Sequence, residues 1–440
     1  MEQIMLRKTI VTMALSTIAM QAQAAQEIQW WHALGGQLGE TVEKMVAEYN
    51  QSQDTYEVKP VYKGNYTETM TTAIAAFRAN EQPHIVQVFE VGTATMMNAQ
   101  GAIYPVHKLM QDAGNPDFSS EPYLDAVASY YTTQDGKLLS LPFNSSTPVM
   151  FYNKDAMKQA GLDPDQPPQT WSELADMSRQ IIDAGGATCG FTTGWPSWIQ
   201  IENMSAWHDK PIATQANGFG GLNTELLINS GFQVEHLQNL TDWQEDRTFV
   251  YGGRRGDANP LFMNSECWVV MNSSAYYDTF AEGTDFDWGV AMLPYYTNEV
   301  EEPQNSIIGG ATLWVLNGHD EAEYEGVADF FGYLSSAEAQ YFWHDNTGYV
   351  PITDAAFELA KERDLYASKP GKDVAVQQLT LNPPTPNSKG LRLGNFVQIR
   401  DIVEQEMENV FVGNKTPQEG LDDAVTQGNK LLRKFERAND

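Results

Sequence analysis

The side chains best suited to chemistry in this chain stand singly, each beside a turn. Arg400 follows Asn395, early in an expected helix from Phe396 to Val412. Its planar guanidinium can bind two oxygens of a phosphate or carboxylate at once, which Lys cannot. Glu90 lies just past an expected strand, His84 to Phe89, and Tyr66 lies at the start of an expected helix. Gly310 follows Gly309, and glycine lets a backbone approach a bound molecule closely and offer it an N–H. Ser146, Ser273 and Tyr349 carry neutral hydroxyl donors. Trp195 and Trp198 bracket Pro196-Ser197 in a loop that can floor a carbon skeleton or face a cation; one of the two is expected in the core. Each residue also has a plainer reading. Arg400 can be a surface residue paired with Asp401 or Glu404, Glu90 a solvated carboxylate favoured by a helix dipole, the serines structural and the aromatics core.

Signals for bond-breaking chemistry are weaker still. The His residues fall at 32, 84, 107, 208, 236, 319 and 344, with no pair at metal-ligand spacing. There is no Gly-x-Ser-x-Gly elbow and no Gly-Lys-Ser/Thr phosphate loop. The two cysteines, Cys189 and Cys267, do not make a metal site, and a disulfide between them stays open because sequence does not give their separation. The expectation is a binding protein with no cofactor and no metal, rather than an enzyme.

The elements that must position these residues read as α/β. Glu27–Trp31, Tyr56–Tyr62 and His84–Phe89 alternate as strands with helices at Val42–Tyr49 and Thr67–Ala79, a succession that predicts a mostly parallel sheet. Ligands sit beyond the C-terminal ends of strands in such sheets, where Tyr66 and Glu90 fall. Further strands are expected at Cys267–Met271, Trp288–Leu293 and Ala311–Leu316, and a helix at Trp171–Ala184. Pro142 to Asp155, PFNSSTPVMFYNKD, reads as a polar run followed by an apolar strand, with Ser145, Ser146 and Thr147 at a pivot facing a cleft. The length of 440 residues suits two lobes.

Residues 1–24 read as a cleavable signal peptide: Arg7 and Lys8, an apolar run from Ile10 to Met20, then Ala22-Gln23-Ala24. That run is too short to span a bilayer, so a periplasmic product is expected. The whole chain has a formal charge of −31. A field this negative repels nucleic acid, anionic membranes and, at long range, a phosphate ligand. Any phosphate site must therefore win at contact distance.

Six segments in one order carry a family likeness: Tyr62–Tyr66, Glu90–Met97, Pro142–Pro148, Ile307–Gly310, Thr347–Tyr349 and Gly390–Asn395. Together they resemble the extracytoplasmic solute-binding proteins of ABC importers, in particular members that take sn-glycerol 3-phosphate. The resemblance implies a periplasmic-binding-protein type fold, two α/β lobes joined by a three-crossover hinge. Lobe 1 would comprise 25–143 and 310–348, and lobe 2 146–308 and 351–440, with hinges near 144–146, 308–310 and 348–351. It implies a monomer that closes on sn-glycerol 3-phosphate or a glycerophosphodiester and docks on a membrane permease driven by cytoplasmic ATPases. It also implies the ligand set Tyr66, Glu90, Ser146, Trp195, Ser273, Gly310, Tyr349 and Arg400, with Arg400 on the phosphate, Arg392 as the next cation, and Glu90 at the opposite end on the glycerol hydroxyls. The turn His32–Gln37 departs from the family in lacking an acidic residue; Gln37 remains able to bond a hydroxyl. A sugar receptor and a periplasmic glycerophosphodiesterase are the competing readings.

Overall fold

The computed structural model describes residues 25–99, 101–120 and 122–439; the expected signal peptide lies outside them. Among the described residues ten strands form two sheets: β1 Gln26–His32, β2 Tyr56–Tyr62, β3 Ile85–Phe89, β4 Ile103–Tyr104, β5 Leu141–Ser146, β6 Pro148–Asn153, β7 Cys189–Thr193, β8 Cys267–Ser273, β9 Trp288–Ala291 and β10 Gly309–Leu316. The first sheet runs β2-β1-β3-β10-β4, with β5 also on β10; the second runs β7-β8-β6-β9. Strands β3, β5, β6, β7 and β8 are buried along their whole length, because helices cover both faces. Among the described residues no helix is long and apolar enough to cross a membrane.

The expectation of mostly parallel sheets needs correction. β1 pairs parallel with β2 and β3, and β7 with β8, but the other pairings are antiparallel. The cause is topological. β10 returns to the first sheet from the second and so runs against β3, β4 and β5, while β6 enters the second sheet against both of its neighbours.

The pivot also differs in detail. Ser146 ends β5 and Pro148 begins β6, so the chain changes sheets at Thr147. Thr147 does not face the cleft: its hydroxyl donates within the protein, 2.6 Å from Ser306 Oγ and 3.1 Å from the Ile307 carbonyl, tying two crossovers together. Residues 351–362, expected to open the last segment of the second lobe, stay on the first sheet's side. The Val350 N–H donates to Ser145 O, the Leu124 N–H donates to Ile352 O, and Thr353 bridges Tyr123. The helix Asp354–Glu362 packs on Ala337–Asp345, and only the helix Val374–Leu379 reaches β6. Apolar Val350, Ile352 and Ala356 extend the first core, which delays the third passage.

Cys189 and Cys267 face each other on the parallel pair β7 and β8, 4.5 Å apart at Cα, and are disulfide-bonded. Adjacent-strand register supplies the proximity that spacing along the chain could not.

Candidate functional site

Between the two sheets lies a cleft of about 260 Å³. All eight expected ligand residues, Tyr66, Glu90, Ser146, Trp195, Ser273, Gly310, Tyr349 and Arg400, line it, together with Leu34, Phe89, Trp198, Arg255 and Tyr276 among others.

Local chemistry sets each position. Asn65 caps the helix Tyr66–Ala79: its side chain accepts the Glu68 N–H at 3.1 Å, and Glu68 returns the bond to the Asn65 N–H at 2.8 Å. Tyr66 is thereby fixed at the first turn, its ring stacked on Phe89. A hydrogen-bond chain then orients its hydroxyl. Gln87 accepts the Ala33 N–H and donates to Asn144, and Asn144 donates to Tyr66 Oη at 2.8 Å. Tyr66 and Tyr349 hydroxyls stand 3.4 Å apart, and burial pushes the pKa of both up. Both phenols therefore stay protonated, and because one hydroxyl donates to the other, one of the two protons remains unengaged. Ser273 accepts the Ala275 N–H, which leaves its own hydroxyl proton to donate.

Gly310 sits at φ +95°, and a Cβ there would stand 1.9 Å from the Asn144 carbonyl oxygen. Gly309 is crowded too: its Cβ would meet Trp198 at 2.4 Å. Gly310→Ala must therefore shift one crossover strand off another. We expect it to cost about 1–3 kcal/mol for the left-handed backbone alone, read as a lower thermal unfolding midpoint; an unchanged midpoint would contradict the close approach.

The charged end differs from expectation. Arg400 is buried on the helix Phe396–Phe411, and its partners are neither Asp401 nor Glu404. Its Nε and Nη2 donate to the two oxygens of Glu202 at 2.9 and 2.7 Å, and its Nη1 lies 2.8 Å from Glu90 Oε1. Glu90, expected at the far end from the cation, lies directly on it. Burial works against the charge on Arg400, but Glu202 and Glu90 outweigh it and push its pKa up. Burial pushes Glu90 up, against the pull of Arg400. Glu404, which accepts from Ser197 at 3.1 Å, is raised for the same reason. One guanidinium thus serves two carboxylates directly, and this group is not a free cation.

Two further residues correct or extend the expected set. Arg392 donates through Nη2 to the carbonyls of Ser129, Tyr130 and Thr132, closing the end of the helix Asp125–Tyr131, and it does not line the cleft. Gln37 donates to Glu282 at 2.8 Å rather than into the cleft. Of the two tryptophans, Trp198 is buried and Trp195 half-buried, yet both line the wall. Sequence reading missed Glu202, Arg255 and Tyr276. The signal for Glu202 was an acid directly after Trp198-Ile199-Gln200-Ile201; both lie in the π-helical turn Trp198–Asn203, a feature often found at functional sites.

Outside the cleft, the fold does bring three metal-type groups together, His84, His319 and Glu323. Nδ1 of His84 accepts the Gln29 N–H at 2.9 Å, so the neutral ring carries its proton on Nε2, toward Glu323. That leaves no lone pair for an ion on His84, whose Nε2 stands 3.3 Å from Glu323 Oε1.

With this geometry in place, comparison supplies the family. Residues 44–372 match the family model described as bacterial extracellular solute-binding protein. A relative from Yersinia pseudotuberculosis, named sn-glycerol-3-phosphate-binding periplasmic protein UgpB, is 48% identical over 436 residues, covering 99% of each chain. The protein of that name from Salmonella typhimurium is 47% identical over 438 residues, again covering 99% of each. Among solved structures, UgpB from Mycobacterium tuberculosis in complex with glycerophosphocholine superposes with a TM-score of 0.76 at 18% identity, over 93% of this chain and 99% of that one. The GacH receptor of Streptomyces glaucescens, solved unliganded and with acarbose, also gives 0.76, at 17% identity over 94% and 100%. At these identities the superpositions establish the two-lobed fold and leave the ligand open. The chain belongs to the bacterial extracellular solute-binding protein family.

Proposed function

We propose that this protein captures sn-glycerol 3-phosphate, or a glycerophosphodiester, in the periplasm and delivers it to the membrane permease of an ABC importer. The observation that carries the reading is convergence: eight residues drawn from Tyr66 to Arg400 meet in one small cleft between two sheets. The full-length likeness to relatives named for that ligand supports it. The lobes are residues 25–146 with 309–369, and 148–308 with the remainder from about 370. Hinge closure requires contacts in both lobes that exist only in the closed state. Tyr66, Glu90 and Tyr349 act from the first lobe, Trp195, Ser273 and Arg400 from the second, and Ser146 and Gly310 at the crossovers. The apolar wall of Leu34, Phe89 and Trp198 takes the carbon skeleton, and the carboxylate of Glu90, oriented by Arg400, accepts the glycerol hydroxyls.

The test is calorimetric titration of the refolded, ligand-free protein with sn-glycerol 3-phosphate, glycerophosphocholine and maltose. One-to-one binding of the phosphate compounds and no heat with maltose is expected. Binding of maltose alone would make it a sugar receptor. Release of choline from glycerophosphocholine would make it an enzyme.

A further inference from the structure

Three residues with formally charged side chains line the cleft, the buried Glu90 and Arg400 and the exposed Arg255. The first two neutralise each other, and Arg400 is held by Glu202 as well. With both carboxylates ionised that cluster carries a net charge of −1, so a phosphate placed against it meets repulsion. Arg255 is different. Among the described residues no carboxylate lies within ion-pairing distance of it, and its guanidinium makes no hydrogen bond to a side chain or carbonyl. Its neighbour Arg254, by contrast, is locked on Glu408 at 2.8 and 2.7 Å.

The backbone of Arg255 is nonetheless held in place. The residue adopts φ +55°, a conformation rare for a side chain of this size. Its carbonyl accepts the Trp195 N–H at 3.1 Å. The packing around it is close: a Cβ on Gly194 would stand 2.4 Å from Arg255 O, and one on Gly256 would stand 2.5 Å from Tyr276 Oη. The loop is pressed onto two cleft-lining aromatics while its side chain stays unpaired. Such strain is kept where the surroundings over-determine it, commonly at ligand sites.

We infer that Arg255, rather than Arg400, supplies the cation that binds the anionic end of the ligand. This rests on the reading that the ligand carries a phosphate. The ligand is then polarised along the cleft, with its phosphate toward Arg255 and the neutral donors Ser273 and Tyr276, and its hydroxyls toward the Glu90–Arg400 pair. The arrangement also reconciles a strongly anionic protein with an anionic ligand, because one uncompensated guanidinium acts at contact distance, where screening by salt is weak.

The test compares wild type, Arg255→Gln and Arg255→Lys by titration with sn-glycerol 3-phosphate and, separately, inorganic phosphate, with thermal unfolding alongside. Arg255→Gln is expected to weaken sn-glycerol 3-phosphate binding at least tenfold at an unchanged unfolding midpoint, and Arg255→Lys to recover part of the loss. A weakening of less than tenfold overturns the assignment. If wild type fails to bind sn-glycerol 3-phosphate yet binds inorganic phosphate in an Arg255-dependent way, the proposed ligand is wrong and the anion site stands. If it binds neither, both fall.

Discussion

Arg400→Ala is expected to lose about 3–5 kcal/mol of stability, the scale for breaking a buried ion pair from one side, and to lose ligand binding with it. The variant leaves Glu90 and Glu202 buried, close together and without their shared guanidinium. Chemical denaturation should show a lower midpoint at an unchanged slope. Glu90→Gln keeps the bidentate Arg400–Glu202 contact and removes only one charge, so it should cost less stability while still weakening the ligand. A fully stable Arg400→Ala would mean that the pair is not formed in solution. The result also changes what the variant can diagnose. On sequence alone, Arg400→Ala separates a phosphate receptor from a sugar receptor, which should tolerate it. A receptor of either kind built on this triad would be damaged, so the discriminating position becomes Arg255.

Acid is expected to destabilise the protein well above the ordinary carboxylate range. Burial lowers His236 and His344 to about 3, and His208 and His32 to about 4. A histidine whose folded pKa is depressed contributes stability above its unfolded value, near 6.5, and loses it as pH falls toward the folded value. Each therefore removes about 1.4 kcal/mol per pH unit across that window, and four act together. Glu90 and Glu404 have the opposite sign: burial raises them, so the folded state gains protons there and is favoured as pH falls. Two groups offset four only in part. Urea midpoints at pH 7, 6 and 5 should fall steadily; a flat profile across that range would show that the histidines take up protons in the folded state.

Much of the architecture was legible because each segment reports its own burial. Strand β2 matches its expected bounds, Tyr56–Tyr62, and the helix Trp171–Asp183 ends one residue before its expected limit, since alternation and helical periodicity are local properties. The clustering of Tyr66, Glu90, Ser146, Trp195, Ser273, Gly310, Tyr349 and Arg400 was expected through a family likeness rather than from periodicity. What the chain by itself determined was therefore its segments, its acidity and the identity of its polar groups. The tertiary structure decided how those groups pair. Arg400 meets Glu90 and Glu202 across long stretches of chain, Arg392 closes a distant helix, Cys189 finds Cys267 through strand register, and Arg255 is left without a partner. Pairing energy depends on separation in space and on the water excluded between charges, and neither quantity is written in the order of residues.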